Sequence, residues 1–173
     1  MDDKFLPTLV TIAIVLLIFL GMALSWRARR RRSAALAPEP VAVETLGAET
    51  AEVDAQYVAT TVVEKPLERV LLPGLGFRGH AVLRMFEHGL VIEPRGEQPT
   101  SIPAANLRGA GVATYTIDRV VERDGLIAVT WAPQGDALVD SYFRIQDAGQ
   151  RAATLATIQG LVPASSATEQ KGN

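Results

Sequence analysis

The sequence predicts a mainly β domain closed by one C-terminal helix and preceded by one N-terminal transmembrane helix. Three observations lead there. Phe5–Trp26 carries no charged residue. From Gln56 onward, short β-branched and aromatic runs alternate with turn residues, which is the signature of many short strands. Beyond Asp147, the apolar residues fall at helical spacing until Pro163.

The apolar segment comes first. Its 22 residues span about 33 Å as a helix, against roughly 30 Å for the hydrocarbon core of a bilayer. Pro7 falls in the first turn, where a missing N–H costs little. Phe5 and Trp26 stand where an interfacial aromatic belt lies. A cleavable signal peptide would need a basic start and small residues at a cleavage site, whereas this start is acidic and MALSWRARRRR offers no such site. A buried core helix would rarely run so far without a polar face.

The flanks set the orientation. Asp2, Asp3 and Lys4 stand before the segment, and Arg27, Arg29, Arg30, Arg31 and Arg32 follow it. The positive-inside rule then places residues 1–4 outside and the C-terminal domain in the cytoplasm, at a cell membrane. Trp26 and these five arginines form the expected membrane interface, where basic side chains also meet anionic headgroups. Membrane lipids are therefore the first expected partner, through the anchor.

Residues 27–55 read as a basic stop followed by an acidic linker. Ser33–Ala55 holds Glu39, Glu44, Glu49, Glu52 and Asp54, no basic residue, and Pro38 and Pro40. Its apolar residues are mostly small, so no core of its own is expected. Such a chain reaches on the order of 25–30 Å, and its acids would hold the domain off an anionic surface.

The domain is expected over 56–163. Strands are read at Gln56–Val63, His80–Glu87, Leu90–Glu93, Thr100–Ile102, Gly111–Thr114, Arg119–Val121, Leu126–Trp131 and Ala137–Ile145. His88-Gly89, Asp124-Gly125 and Gln134-Gly135-Asp136 are the turns between them. Asp147 is the helix N-cap with Gln150 three residues on, and Ala148, Ala152, Leu155, Ile158 and Val162 make the apolar stripe. Residues 164–173 read as a disordered tail.

Chemistry is sparse. The chain has no cysteine and two histidines, His80 and His88, which excludes thiolate metal sites, a cysteine nucleophile and a multi-histidine centre. His88 belongs to a turn, and His80 opens a strand with no second ligand nearby. Ser101 and Ser141 lack a nucleophile elbow. Asp136 and Asp140 are spaced like many solvated carboxylates. Pro73-Gly74-Leu75-Gly76 lacks the Lys-Ser/Thr and the following helix of a phosphate cradle, and reads as a tight loop. No enzyme, cofactor or metal is expected.

Between Gln56 and Pro163 ten basic residues face eleven acidic ones. That balance argues against nucleic acid and against a multiply anionic headgroup. Lys65, Arg69, Arg78 and Arg84 remain a possible local patch. Trp131, Tyr142 and Phe143 are expected in the core, with an aromatic-lined groove as the alternative. Arg78, Arg84, Trp131 and Arg144 are the residues proposed for a partner or ligand patch.

The order of antiparallel strands and one closing helix resembles a pleckstrin-homology-like (PH-like) barrel. The run LRMFEHGLVIEPRGEQPTSIPAANLRG carries the likeness, with its turn-Gly-Leu and its Ile-Pro step. YVATT, LGFRG at Leu75–Gly79, the run Gly125–Trp131 and YFR at Tyr142–Arg144 resemble a family of short actinobacterial single-pass membrane proteins with a PH-like domain. Members are often described as transport-related and are encoded near pyrimidine-biosynthesis genes. The resemblance implies a non-catalytic module at the membrane, acting as an adaptor or accessory subunit for a protein partner. A receptor for a lipid or small metabolite is the alternative.

Overall fold

A computed structural model describes residues 5–63, 65–113, 115–116, 119–120, 125–135 and 137–164. The expected turn residues Asp124 and Asp136, the strand end Val121, the N-terminus 1–4 and most of the expected tail lie outside them. The chain forms two compact units, residues 1–35 and 36–173.

The first unit is helix α1, Phe5–Ala35. Within it Leu9–Ala28 has mean hydropathy 2.6 and no buried residue, a stretch long and apolar enough to cross a membrane. Beyond the apolar stretch the helix runs on through the arginines and stops at Ala35, short of Pro38. Arginine and alanine are strong helix formers, so nothing breaks the helix before that proline.

The second unit is an antiparallel barrel. Its strands are β1 (Glu49–Val62), β2 (Lys65–Arg69), β3 (Gly79–Phe86), β4 (Gly89–Pro94), β5 (Thr100–Pro103), β6 (Leu107–Ala113), β7 (Tyr115–Thr116), β8 (Arg119–Val120), β9 (Leu126–Gln134) and β10 (Ala137–Arg144). The main sheet runs β5-β4-β3-β1-β10-β9-β6, with β2 added to β1. The two ends of that order, β5 and β6, are consecutive in the chain and joined by one 3-10 turn at Ala104–Asn106. The sheet therefore curls on itself. β7 and β8 form a separate two-stranded ribbon.

β1 is the spine. Its first part pairs with β3 from Glu49 to Tyr57, and its second with β10 from Gln56 to Val62. This overturns the expected linker over 27–55, because β1 begins at Glu49. Glu-Val-Asp-Ala-Gln-Tyr alternates strictly: Val53, Ala55 and Tyr57 are buried, and Glu52, Asp54 and Gln56 are exposed. Period-2 burial on a half-covered sheet suffices to hold small residues in a strand. The stretch before it is not free either. Leu46, in a 3-10 turn at Val43–Leu46, is buried with Phe86 and Val91, and Val41 and Val43 pack on them. Leu36 already lies against the main core.

That core holds Tyr57, Leu75, Leu83, Leu90, Ile92, Ile102, Leu107, Ile127, Val129, Trp131, Val139 and Phe143. The Tyr57 and Phe143 rings meet at 5.9 Å, tilted by 54°. Helix α2 (Ala148–Leu161) lies against β6 and β9 and buries Ile158. Asp147 caps it as expected, its Oδ1 accepting the Gln150 N–H at 2.6 Å. The buried face differs from the expected stripe. Ala148 and Ala152 are exposed and Thr154 is buried, its hydroxyl donated to the Gln150 carbonyl at 2.8 Å. A side chain that back-bonds to its own helix can be buried without an outside partner.

The expected turn at His88-Gly89 is present with another cause. Gly89 begins β4 and does not adopt positive φ. A Cβ there would stand 2.5 Å from the Ile102 carbonyl oxygen, so β5 demands the glycine by its close approach.

Candidate functional site

The outward face of β1, β3 and β4 builds a graded row of charges. Because residues two apart share a face, the rungs can be read from the register. At one end Glu52 pairs with Arg84. The Arg84 guanidinium reaches three carboxylates: Glu49 at 3.1 Å, Glu52 at 3.4 Å and Glu93 at 3.7 Å. Two rungs further, Gln56 pairs with His80 on one side and with Arg144 on the other. The Arg95 N–H donates to the His80 carbonyl at 2.9 Å, which brings Arg95 to the same rung. One end of the face thus keeps an acidic excess, three carboxylates around one guanidinium, and the other gathers Arg144, His80 and Arg95 around Gln56.

This second rung lies in an open groove of about 780 Å³. The groove also takes in Asp54, Glu97, and Asp147 and Gln150 at the start of α2. Asp147 is occupied as the helix cap, and Glu93, on the same wall, faces Arg84. The charges left for a ligand are Asp54 and Glu97 on one hand, and Arg95 and Arg144 on the other. Among the described residues neither arginine makes an ion pair with a neighbouring carboxylate. A groove with both signs suits a polypeptide segment, which brings both signs and backbone amides that a central glutamine can meet.

The residues proposed from sequence meet different fates. Arg144 lines the groove. Arg84 is taken up by three carboxylates, two of which, Glu49 and Glu52, fall in the expected linker. Arg78 is exposed immediately before β3. Trp131 is 1% exposed and its indole N–H donates to Ser141 Oγ at 3.0 Å, so it cannot belong to a surface patch. Tyr142 and Phe143 are buried as well. The aromatic-lined groove expected for a lipid or metabolite receptor is therefore core. Trp26 is exposed on α1, and Arg27 is exposed beside it. The side chains of Arg29, Arg30, Arg31 and Arg32 lie outside the described residues.

Sequence reasoning missed Gln56, His80 and Arg95 as a group. They come from β1, β3 and the turn after β4, and pairing register was the missing quantity.

Inside the barrel a polar chain crosses the core. Trp131 donates to Ser141, Ser141 Oγ lies 2.8 Å from Thr60 Oγ1, and Thr60 lies 2.9 Å from the Tyr57 hydroxyl. That hydroxyl donates to the Leu75 carbonyl at 2.9 Å. Burial pushes the Tyr57 phenol above its ordinary pKa, so it remains a donor. Asp140 is also raised by burial, although Thr130 Oγ1 donates to it at 2.6 Å.

One chain in a solved structure, "The 8S snRNP Assembly Intermediate", matches at 12% identity with TM-score 0.45, over 74% of this chain and 91% of that one. No curated protein matches the chain. The bacterial PH domain-like family matches residues 36–159, from the residue that first packs on the core to the last turn of α2. An antiparallel barrel closed by a C-terminal helix, matched over well over half of its length, makes this chain a member of the bacterial PH domain-like family.

Proposed function

We propose that the chain is a non-catalytic, membrane-tethered adaptor that holds a segment of a partner protein in the β1–β3–β4 groove at the cytoplasmic face. The supporting observation is the rung of Arg144, Gln56, His80 and Arg95 beside Asp54 and Glu97. Two arginines that make no ion pair among the described residues, in one groove with two acids, complement a chain segment carrying both charges. The tether is the apolar stretch Leu9–Ala28. Arg27 near its end and the four arginines that follow favour a cytoplasmic domain. The resemblance to transport-related membrane proteins makes another membrane protein the expected class of partner.

The test is co-purification of the full chain in mild detergent with mass spectrometry, beside an Arg95→Glu/Arg144→Glu variant. Both side chains are exposed, so the variant keeps its fold. The expected result is a stoichiometric partner present with the wild type and lost from the variant. A chain that purifies alone, or a partner that stays with the variant, overturns the proposal.

A further inference from the structure

Among the described residues, four large apolar side chains outside α1 are exposed: Leu67, Leu71, Phe77 and Val112. Three of them fall between residues 67 and 77, in β2 and the loop that follows. Leu67 is 80% exposed, Phe77 77% and Leu71 56%. Charges are interleaved with them: Lys65 and Arg69 flank Leu67, Arg78 follows Phe77, and Glu68 stands among them 3.7 Å from the Lys65 Nζ.

The segment does not expose these groups through loose packing. Val70, Leu72 and Leu75 are buried between them. Tyr57 grips the Leu75 carbonyl, Arg69 Nη2 donates to the Gly76 carbonyl at 3.2 Å, and Thr100 Oγ1 donates to the Pro73 carbonyl at 3.3 Å. Gly74 adopts φ +77°, and a Cβ there would stand 2.3 Å from the Gln98 carbonyl oxygen. The backbone is fixed, and it fixes Leu71 and Phe77 outward.

The tether supplies the occupant. The apolar stretch ends at Ala28 in a helix that runs on to Ala35, and Leu36 already packs on the barrel core eight residues beyond Ala28. Eight residues of helix measure about 12 Å. The long spacer expected from sequence is absent, so a chain anchored through Leu9–Ala28 keeps its barrel within reach of the headgroups at whatever angle the units take. Fixed apolar side chains with an excess of cations, Lys65, Arg69 and Arg78 against Glu68, match that layer, where the apolar groups enter the acyl boundary and the cations meet lipid phosphates.

We propose that Leu67, Leu71 and Phe77, with Lys65, Arg69 and Arg78, form a seat by which the barrel rests on the anionic surface of its own bilayer. The proposal rests on the tether reading above. The absence of cysteine permits a direct test with single nitroxide labels on the full chain. Gly76 and Gly21 both have open space where a Cβ would go, so Gly76→Cys and Gly21→Cys report the loop and the anchor without disturbing either. Each labelled chain is placed as one copy per nanodisc, in phosphatidylcholine alone or mixed with phosphatidylglycerol. Collision with oxygen and with a water-soluble nickel chelate is then measured.

The expected result is a Gly21 label immersed in both lipids, and a Gly76 label shielded from the chelate in the anionic discs and less so in the neutral ones. Leu67→Glu/Phe77→Glu, at exposed positions, should return the Gly76 label to water and leave the Gly21 label unchanged. A Gly76 label in water at both compositions, with Gly21 immersed, overturns the seat and leaves the tether standing. A Gly21 label in water overturns the tether itself. Shielding that appears only with two copies per disc assigns the patch to self-association and overturns the lipid seat.

Discussion

Single side chains in this barrel hold together parts that the register alone would leave separate. Tyr57 is the clearest case, since its hydroxyl spans from Thr60 to the Leu75 carbonyl. Tyr57→Phe keeps the ring against Phe143 and deprives a buried carbonyl of its donor, a loss worth about 1–3 kcal/mol. The expected outcome is a lowered denaturation midpoint together with faster amide exchange at Leu72–Gly76. An unchanged midpoint would show that Leu75 finds another donor. Asp140 acts through titration. Its pKa is raised by burial, so the folded state takes up a proton more readily than the unfolded chain. Stability contributed by this group therefore falls as pH rises from the ordinary carboxylate value through the raised one. Asp140→Asn removes the charge and retains an acceptor for Thr130. The variant should gain on the wild type at neutral pH, and the gain should vanish in acid, as measured by urea unfolding at several pH values.

At the scale of elements, most of the barrel was legible and its edges were not. β3, β4, β9 and β10 carry β-branched and aromatic runs bounded by turn residues, and the structure has them within a few residues of the expected places. The first half of β1 was hidden because alanines, acids and nearby prolines mimic a linker, although the alternation Val53, Ala55, Tyr57 was there to be read. Composition judges a segment by what it can bury alone, whereas β1 is stabilised by β3 and β10 on either side. β2 escaped notice for a similar reason, with Pro66 in a short strand that pairs only along β1. The cap of α2 was legible from two residues, Asp147 and Gln150, because capping is local chemistry. Asp147→Ala removes the acceptor from the Gln150 N–H and should cost about 0.5–2 kcal/mol, read as a lower thermal midpoint. A change within error would mean that water replaces the carboxylate. The groove was legible only in part. Arg144 is legible from the sequence, but its partners come from β1, β3 and the turn after β4, whose alignment no local signal encodes.

On the scale of the whole molecule, two surfaces divide the work: the groove is proposed to meet a partner and the β2–β3 segment a bilayer. Both depend on β1, which pairs with three strands along 14 residues. That has a kinetic consequence. Gln56 is matched to Arg144, so the spine is synthesised long before the strand that completes it. Until β10 emerges, one margin of β1 has exposed amides and carbonyls and nothing to satisfy them. Closing such distant pairs is slow, and a domain built around them folds only after β10 has been made. The nascent chain therefore passes through a stage in which an apolar helix precedes an open sheet margin. Whatever shelters that margin in the interval governs how many chains reach the finished barrel.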